Sequence, residues 1–190
     1  PMIESNYIPF AYSSSGATGL WQLMPGTATG YGLKINWWYD SRRDLIASTN
    51  AALDYLTYLH NFFHNWLLAI AAYNAGEGTV EHAVWHNKKL HKATDYWSLA
   101  LPEETKIYVP KLLAIAAIIN QPQHYGITIS PIPYQPSFSV HSISGQYNLS
   151  VLAKMADIST ATLRNYNPGF RRFITGPELL SICPTLFPLK

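Results

Sequence analysis

The sequence has few charges and a single cysteine. Charged residues make up only 13% of its 190 residues, and the net charge of +2 is too small to predict a nucleic acid partner. Cys183 cannot form an internal disulfide, and no basic or histidine neighbour marks it as a nucleophile. The longest strictly apolar run, residues 112–119, is far shorter than the roughly 20 residues of a membrane span. Together these shortages favour a sparsely charged globular protein.

Acidic residues are almost missing from the first part of the chain. Glu4 lies at the edge of an apolar segment, and no other acid occurs before Asp40. A carboxylate among apolar and aromatic neighbours is a candidate for general acid/base catalysis. The simpler interpretation is a solvated acid near the start of the chain. No signal peptide precedes it, so we expect a fragment or a processed form whose targeting segment lies upstream.

Aromatic residues, by contrast, are abundant. The chain has 13 Tyr and 6 Trp, whose rings suit core packing and also stack on sugar rings. A chain of 190 residues can bury a core as one large or two small domains.

Helical patterns dominate residues 1–127. Ser41, with Asp44 three residues later, predicts a capped helix that continues to Phe63. Residues 66–73 are apolar on every face and predict a buried helix, and another helix is predicted over 77–86. A further helix is expected to start at Pro102, to break or kink just after Tyr108 because of Pro110, and to continue as a second buried helix over 111–120.

The composition changes after residue 127. Residues 128–137 contain three prolines and predict a linker between a first domain, 1–127, and a second module, 138–190. In this module we expect strands at 138–143 and 179–183 and helices at 149–156 and 160–167, which is a small α+β module of βααβ type. Its slight excess of basic residues indicates either that the module binds an acidic polymer or that these residues form an ordinary solvated surface.

Four motifs, taken in order, carry a family resemblance. They are Glu4-Ser5, Gly16-Ala17-Thr18-Gly19-Leu20-Trp21-Gln22, Ala72-Tyr73-Asn74-Ala75-Gly76 and Glu104-Thr105-x-x-Tyr108-Val109-Pro110-Lys111. Residues 1–127 thereby resemble the soluble-lytic-transglycosylase-like family, which has a goose-type lysozyme fold. The resemblance implies a mainly α protein with a lysozyme-like helical catalytic domain that acts on peptidoglycan glycan strands.

The resemblance also implies roles for individual residues. Glu4 matches the single catalytic acid of the family, and Ser13 matches a serine that helps to place the reacting sugar. The residues that match positions holding the glycan, or lying near the acid, are Gln22, Tyr73, Asn74 and Tyr108. No cofactor and no metal are implied. The implied location is the periplasm of the bacterial cell envelope, with outer-membrane association through an upstream segment, and we expect a monomer.

The shortage of acids bears on the reaction. Ordinary glycosidases use two carboxylates, whereas nothing acidic lies between Glu4 and Asp40, and helix capping is the simpler role for Asp40 and Asp44. One acid without a partner to activate water favours transglycosylation, which gives a 1,6-anhydromuramyl product. A hydrolytic lysozyme and a non-catalytic peptidoglycan-binding protein remain the alternatives.

Two further features leave alternatives open. The second module weakly resembles the LysM pattern, although Gln146-Tyr147-Asn148 replaces the usual Gly-Asp-Thr start, so it is either a degenerate glycan-binding module or a packing domain. Two histidine pairs, His60 with His64 and His82 with His86, have the i,i+4 spacing of metal ligands, but no third ligand is placed nearby. We therefore expect surface histidines rather than a metal site.

Overall fold

The computed structural model describes residues 1–135, 138–177 and 180–182, the last three by their backbone alone. It forms two compact units, one of Pro1–Ala52 with Pro133–Lys190 and the other of Leu53–Ile132. The predicted boundary at residues 128–137 stays a prediction. Most of the described structure is helical, in agreement with the mainly α prediction.

The elements follow the sequence pattern closely. Eight α-helices and two strands are described, with 3-10 helices at Tyr96–Ser98 and Pro122–Tyr125. The helices are α1 (Met2–Ser5), α2 (Pro25–Gly30), α3 (Leu45–Phe63), α4 (Trp66–Ala75), α5 (Glu77–Lys89), α6 (Glu103–Asn120), α7 (Leu149–Met155) and α8 (Thr160–Tyr166). The strands are β1 (His141–Ile143) and β2 (Leu180–Ile182). No helix among the described residues is both long and apolar enough to cross a membrane.

Helix α4 is the centre of the unit formed by residues 53–132. Asn65 caps its start, because the side-chain Oδ1 accepts hydrogen bonds from the backbone N–H groups of Leu67 and Leu68 at 2.9 and 3.2 Å. The prediction of a buried helix here is confirmed, although Trp66 is exposed. The buried core of this unit consists of Leu59, Leu68, Ala69, Ala71, Ala72, Val80, Ala83, Tyr96, Leu99, Leu101 and Val109.

The predicted cap of α3 is wrong by three residues. Ser41 does not cap the helix; Asp44 does, with its Oδ1 accepting from the N–H groups of Ile46 and Ala47 at 2.9 and 2.8 Å. Both residues are good caps in principle. The side chain of Asp44 is fixed in this role because its Oδ2 also accepts a 2.6 Å hydrogen bond from the Tyr39 hydroxyl. The predicted end at Phe63 is confirmed.

Of the break or kink predicted at Pro110, the break does not occur, because α6 continues through the proline, and the kink stays a prediction. Pro110 has no N–H to donate to the carbonyl of Lys106, one helical turn earlier. The hydroxyl of Tyr96, itself buried, lies 3.2 Å from Lys106 O and 3.1 Å from Thr105 O, and it shares its single hydrogen between these two carbonyls. A side chain from outside the helix thus replaces the missing backbone donor.

The second half of α6 is a helix, as predicted, but it is not buried. None of its described residues after Val109 is buried, and Leu113 and Ile119 are 39% and 50% exposed. An apolar run shows that a segment can be buried, but it does not show that a neighbour covers every face. The prediction of a second buried helix is therefore wrong.

The C-terminal module has the predicted βααβ order. Strands β1 and β2 are antiparallel, with His141 opposite Ile182 and Ile143 opposite Leu180. Asn148 and Ser159 cap α7 and α8. Leu179 and Cys183, the ends of the predicted second strand, lie outside the described residues. The core of the module contains Leu149, Ala153, Leu163 and Phe170, and also Tyr39 from the N-terminal segment.

Candidate active site

Glu4 lies in α1, which is fixed to the loop that follows it. The next residue, Ser5, is buried, and its Oγ donates to the carbonyl of Leu20 at 3.0 Å. Asn6 and Tyr7 both have left-handed backbones, with φ of 50° and 60°. Such a conformation is costly for a bulky residue such as Tyr, and strain of this kind occurs most often at functional sites. The half-buried Glu4 is thus held at a sharp reversal of the chain.

Ser13 organises the turn that opens the glycine-containing loop. Its Oγ accepts from the N–H of Ala17 at 2.9 Å and shares a 2.8 Å hydrogen bond with the hydroxyl of Ser15. Its backbone N–H donates to Ala17 O at 2.9 Å. These bonds distinguish Ser13 from Ser14 and Ser15, which are both exposed, while Ser13 is half-buried.

Gln22 closes the same loop. Its Nε2 donates to Gly19 O at 2.8 Å and to Ala11 O at 3.4 Å, and its own backbone is left-handed with φ of 48°. Gly19 is required because its φ is +83° and a Cβ there would lie 2.0 Å from the carbonyl oxygen of Arg42. The sequence motif is therefore a tight loop whose polar side chains are bonded to its own backbone.

A buried ion pair lies behind this loop. Asp40 and Arg42 are 5% and 6% exposed, and Asp40 accepts from Arg42 Nε at 3.0 Å and from Nη2 at 2.8 Å. Arg42 Nη1 donates to Gly16 O at 2.7 Å and to Leu23 O at 3.3 Å. Burial raises the pKa of the Asp40 carboxyl, but the hydrogen bonds and charge of Arg42, with the charge of Arg43, outweigh it and hold the pKa below its usual value of 3.8.

Asn74 is oriented by a hydrogen bond within the unit formed by residues 53–132. It lies in the last turn of α4, and its Oδ1 accepts from the Oγ1 of Thr105 at 2.8 Å. Thr105 is 1% exposed and lies in the first turn of α6. Gly76 then ends α4 with a φ of +86°, which suits glycine, and its N–H donates to Ala72 O at 2.8 Å.

Tyr73 and Tyr108 flank the core of this unit. Both are half-buried and pack against it, Tyr73 from α4 and Tyr108 from α6. The ring centroids of Tyr73 and Tyr55 are 5.5 Å apart. Tyr108 immediately precedes buried Val109, in the stretch of α6 that the hydroxyl of Tyr96 supports.

The predicted residues fall into two sets. Glu4, Ser13 and Gln22 lie in the unit that includes residues 1–52, whereas Tyr73, Asn74 and Tyr108 lie in the unit of residues 53–132. Sequence reasoning missed Arg42 and Thr105, which contact these residues or the loop that carries them. An Asp-x-Arg pair in a chain with so few charges is a signal that could have identified Arg42.

The histidine pairs take no part in these arrangements. His60 stacks on Trp66 with ring centroids 4.1 Å apart. His82 and His86 line an open groove of about 570 Å³ that contains none of the predicted site residues. Across the residues that the structure describes, no group of three or more potential metal-binding side chains was found.

Two protein-family models match the chain. The model of the transglycosylase SLT domain matches residues 1–96, and that of the lytic transglycosylase MltD LysM-like domain matches residues 137–180. A curated relative, membrane-bound lytic murein transglycosylase D of Escherichia coli K12, is 42% identical over 172 residues. That alignment covers 90% of this chain but only 38% of the relative.

Solved structures give a similar result. The lytic transglycosylase Slt of Pseudomonas aeruginosa, solved as an inactive Glu-to-Gln mutant, aligns with a TM-score of 0.52 and 32% identity, over 65% of this chain and 20% of that one. The 70 kDa soluble lytic transglycosylase of Escherichia coli aligns with a TM-score of 0.50 and 29% identity, over 66% of this chain and 21% of that one.

Proposed function

Because the chain belongs to the transglycosylase SLT-domain family, we propose that it is a peptidoglycan lytic transglycosylase that acts in the periplasm. It would cleave the β-1,4 bond between N-acetylmuramic acid and N-acetylglucosamine without consuming water. A relative that aligns over 90% of this chain carries the name of a lytic murein transglycosylase, and murein is peptidoglycan. The inactive Glu-to-Gln mutant of Slt supports an essential glutamate in this family.

Glu4 is the proposed general acid and base. Its carboxyl group donates a proton to the glycosidic oxygen as the bond from C1 to that oxygen breaks, and N-acetylglucosamine leaves. The C2 acetamido group stabilises the oxocarbenium-like muramyl centre. The Glu4 carboxylate then takes the proton of the muramyl C6 hydroxyl, whose oxygen attacks C1. The result is a 1,6-anhydro ring, and Glu4 has regained its proton.

The observation that carries this proposal is that the acids that follow Glu4 in the sequence, Asp40 and Asp44, already have structural roles. A second catalytic carboxylate would be needed to activate water in an ordinary glycosidase. Asp40 is committed to its buried ion pair with Arg42, and Asp44 caps α3 and accepts from Tyr39. Within the described part of the unit that holds Glu4, the remaining acid, Asp157, is exposed in the C-terminal module. This supports a single-acid reaction.

The other predicted residues are proposed to bind the glycan. Gln22 uses its Nε2 on two backbone carbonyls, which leaves Oε1 as the acceptor for a sugar hydroxyl. Asn74 uses its Oδ1 on Thr105, which leaves Nδ2 as the donor. Ser13 would help to place the reacting sugar, and Tyr73 and Tyr108 would offer ring faces and hydroxyl groups.

Mass spectrometry of the muropeptides released from purified peptidoglycan tests the proposal. The parent protein should release 1,6-anhydromuramyl products, which are lighter by one water than products with reducing ends. Glu4→Gln should release none, whereas Glu81→Gln, at an exposed acid on α5, should match the parent. Reducing-end products would instead identify a hydrolytic lysozyme. Binding of peptidoglycan without any release would identify a non-catalytic protein.

A further inference from the structure

The C-terminal module encloses part of the N-terminal segment. Tyr39 is 7% exposed and lies in the core of the module, with its ring edge-to-face against Phe170 at a centroid distance of 5.1 Å. Two backbone hydrogen bonds join the segment around Tyr39 to the segment around Phe170. Asp40 N–H donates to Gly169 O, and Arg171 N–H donates to Trp38 O, both at 2.9 Å. The module is thus built around a residue from outside it.

Two glycines of the module allow this close approach. A Cβ added to Gly169 would lie 2.5 Å from a ring carbon of Tyr39, a distance that real Cβ contacts do not reach. A Cβ on Gly176 would lie 3.3 Å from the side chain of Trp38. Glycine at 169 is therefore required for packing against Tyr39, and not for an unusual backbone angle.

From Tyr39 the contacts continue to the loop that carries Ser13 and Gln22. Asp40, whose N–H is held by the module, binds Arg42 through both carboxylate oxygens. Arg42 Nη1 in turn donates to the carbonyls of Gly16 and Leu23. The path from module to loop therefore consists of hydrogen bonds and one ion pair, and Asp40 and Arg42 in it are more than nine-tenths buried.

We propose that the C-terminal module braces the loop of residues 13–23, and that Arg42 is the positioning residue that transmits this brace. The inference rests on the proposed function, in which Ser13 and Gln22 bind the glycan. The loop contains isolated bridges rather than regular strands, and Arg42 adds two hydrogen bonds from outside to those that the loop makes with itself. Arg42 reaches both ends of its glycine-containing part, and its charge strengthens the bonds to the carbonyls. The module fulfils this role whether or not it binds glycan itself.

Three variants test the brace at successive points. Gly169→Val displaces Tyr39 without substituting any residue of the loop, Arg42→Met removes the donor, and Arg42→Lys restores a charge but not the paired geometry. Met155→Ala, at a 75% exposed side chain of α7, is the matched control in the module. The rate of muropeptide release is measured against peptidoglycan concentration at a temperature at which circular dichroism shows each variant to be folded.

We expect kcat/KM per folded molecule to fall by about 10- to 100-fold in Gly169→Val and Arg42→Met, because a displaced binding loop misplaces the sugar. Arg42→Lys should recover part of the loss, and Met155→Ala should match the parent. A purely structural role would lower the melting temperature and leave the activity of the folded protein unchanged. Parental kcat/KM in both Gly169→Val and Arg42→Met would therefore overturn the proposal.

Hydrogen exchange separates this inference from the proposed function. The N–H groups of Ala17 and Thr18 are hydrogen-bonded within the loop, and that of Gly19 donates to the carbonyl of Ala11 just before it. These three groups should exchange faster in Gly169→Val and in Arg42→Met, while those of α4 keep their parental rates. If the parent protein releases no muropeptides at all, the proposed function is wrong. The exchange rates alone then show whether the C-terminal module supports the loop. Parental exchange of these three groups in Gly169→Val would refute it.

Discussion

At the scale of single residues, the side chains that contact the candidate site residues matter as much as those residues. Asn74 can present either end of its amide, and the buried hydroxyl of Thr105 selects which one by donating to Oδ1. Sequence reasoning identified Asn74 from its motif but could not identify its partner, because Thr105 is 31 residues away along the chain. Only the packing of α6 on α4 brings the two side chains together.

Thr105→Val should reduce the activity more than Thr105→Ser. Valine keeps the shape of threonine but cannot donate to Asn74 Oδ1, and losing a partner of this kind costs about 1–3 kcal/mol. We therefore expect kcat/KM for peptidoglycan to fall by about 10-fold in Thr105→Val and to stay near the parental value in Thr105→Ser. Steady-state kinetics of the two folded variants provide the comparison. Equal activities would show that the hydroxyl of Thr105 does not orient Asn74.

At the scale of elements, the sequence predicted most helices well and failed where a distant side chain decides the outcome. The periodic pattern up to Phe63 and the apolar segment beginning at Trp66 needed only local information, and both predictions are confirmed. The start of α3 and the continuity of α6 depend on Tyr39 and Tyr96, which lie outside those helices. Rules for helix caps and prolines consider only neighbours along the sequence, so they cannot predict the hydrogen bonds of Tyr39 and Tyr96.

Tyr96→Phe should destabilise the protein through α6. The carbonyls of Thr105 and Lys106 would lose the Tyr96 hydroxyl, and Lys106 O would be left without the donor that Pro110 cannot supply. Loss of such a hydrogen bond costs about 1 kcal/mol. Pro110→Ala gives Lys106 a backbone donor again, so the cost of Tyr96→Phe should be smaller in that background. Urea unfolding of the parent, the single variants and the double variant measures this coupling. If the changes in unfolding free energy of the two single variants simply add in the double variant, the Tyr96 hydroxyl does not replace the missing backbone donor.

The start of α3 gives a simpler comparison. Asp44→Ala should lower the free energy of unfolding by about 1 kcal/mol or more, since it removes the cap as well as the acceptor of the Tyr39 hydroxyl. Ser41→Ala should change it by less than about 0.5 kcal/mol, because its side chain does not cap the helix. Chemical denaturation distinguishes the two. A larger effect at Ser41 would restore the capping box that the sequence predicted.

At the scale of the whole molecule, the buried ion pair makes stability depend on pH. The pKa of Asp40 is below its usual value, so its ionised form stabilises the fold at every pH above the unfolded value of about 3.9. That stabilisation is lost as the pH falls through the lower pKa of the folded state. The direction is thus loss of stability in acid.

Asp40→Asn should reveal this dependence. At pH 7 it leaves Arg42 buried without its charged partner, which we expect to cost about 3 kcal/mol or more. The difference from the parent should begin to shrink as the pH falls below about 4, where Asp40 binds a proton in the unfolded chain, and should go on shrinking until the folded protein binds it at its lower pKa. Unfolding free energies at several pH values provide the measurement, with Asp157→Asn, an exposed carboxyl, as the control. A difference that does not vary with pH would contradict the role of the ion pair.

The larger organisation was only partly accessible from the sequence. The order of helices and the βααβ module could be predicted, because each follows from local periodicity and turn residues. The candidate acid and the loop motif could be located, but not the ion pair between Asp40 and Arg42 or the contacts of Tyr39 with Phe170. Asp40 and Arg42 are neighbours in the sequence, but their burial and their contact with the loop depend on the folded chain. Phe170 lies far from Tyr39 in the sequence, so only the fold brings these two rings together.

The position of Tyr39 inside the C-terminal module has a practical consequence for protein engineering. Because Tyr39 completes the core of the C-terminal module, a single junction in the proline-rich segment would not transfer the whole core of the module to another protein. A chimera that takes residues 138–177 from one relative would have to take residues 36–44 from the same relative, so that Tyr39 meets Gly169 and Phe170 as a matched set. Recombination between relatives should therefore exchange these two distant segments together rather than use a single crossover point.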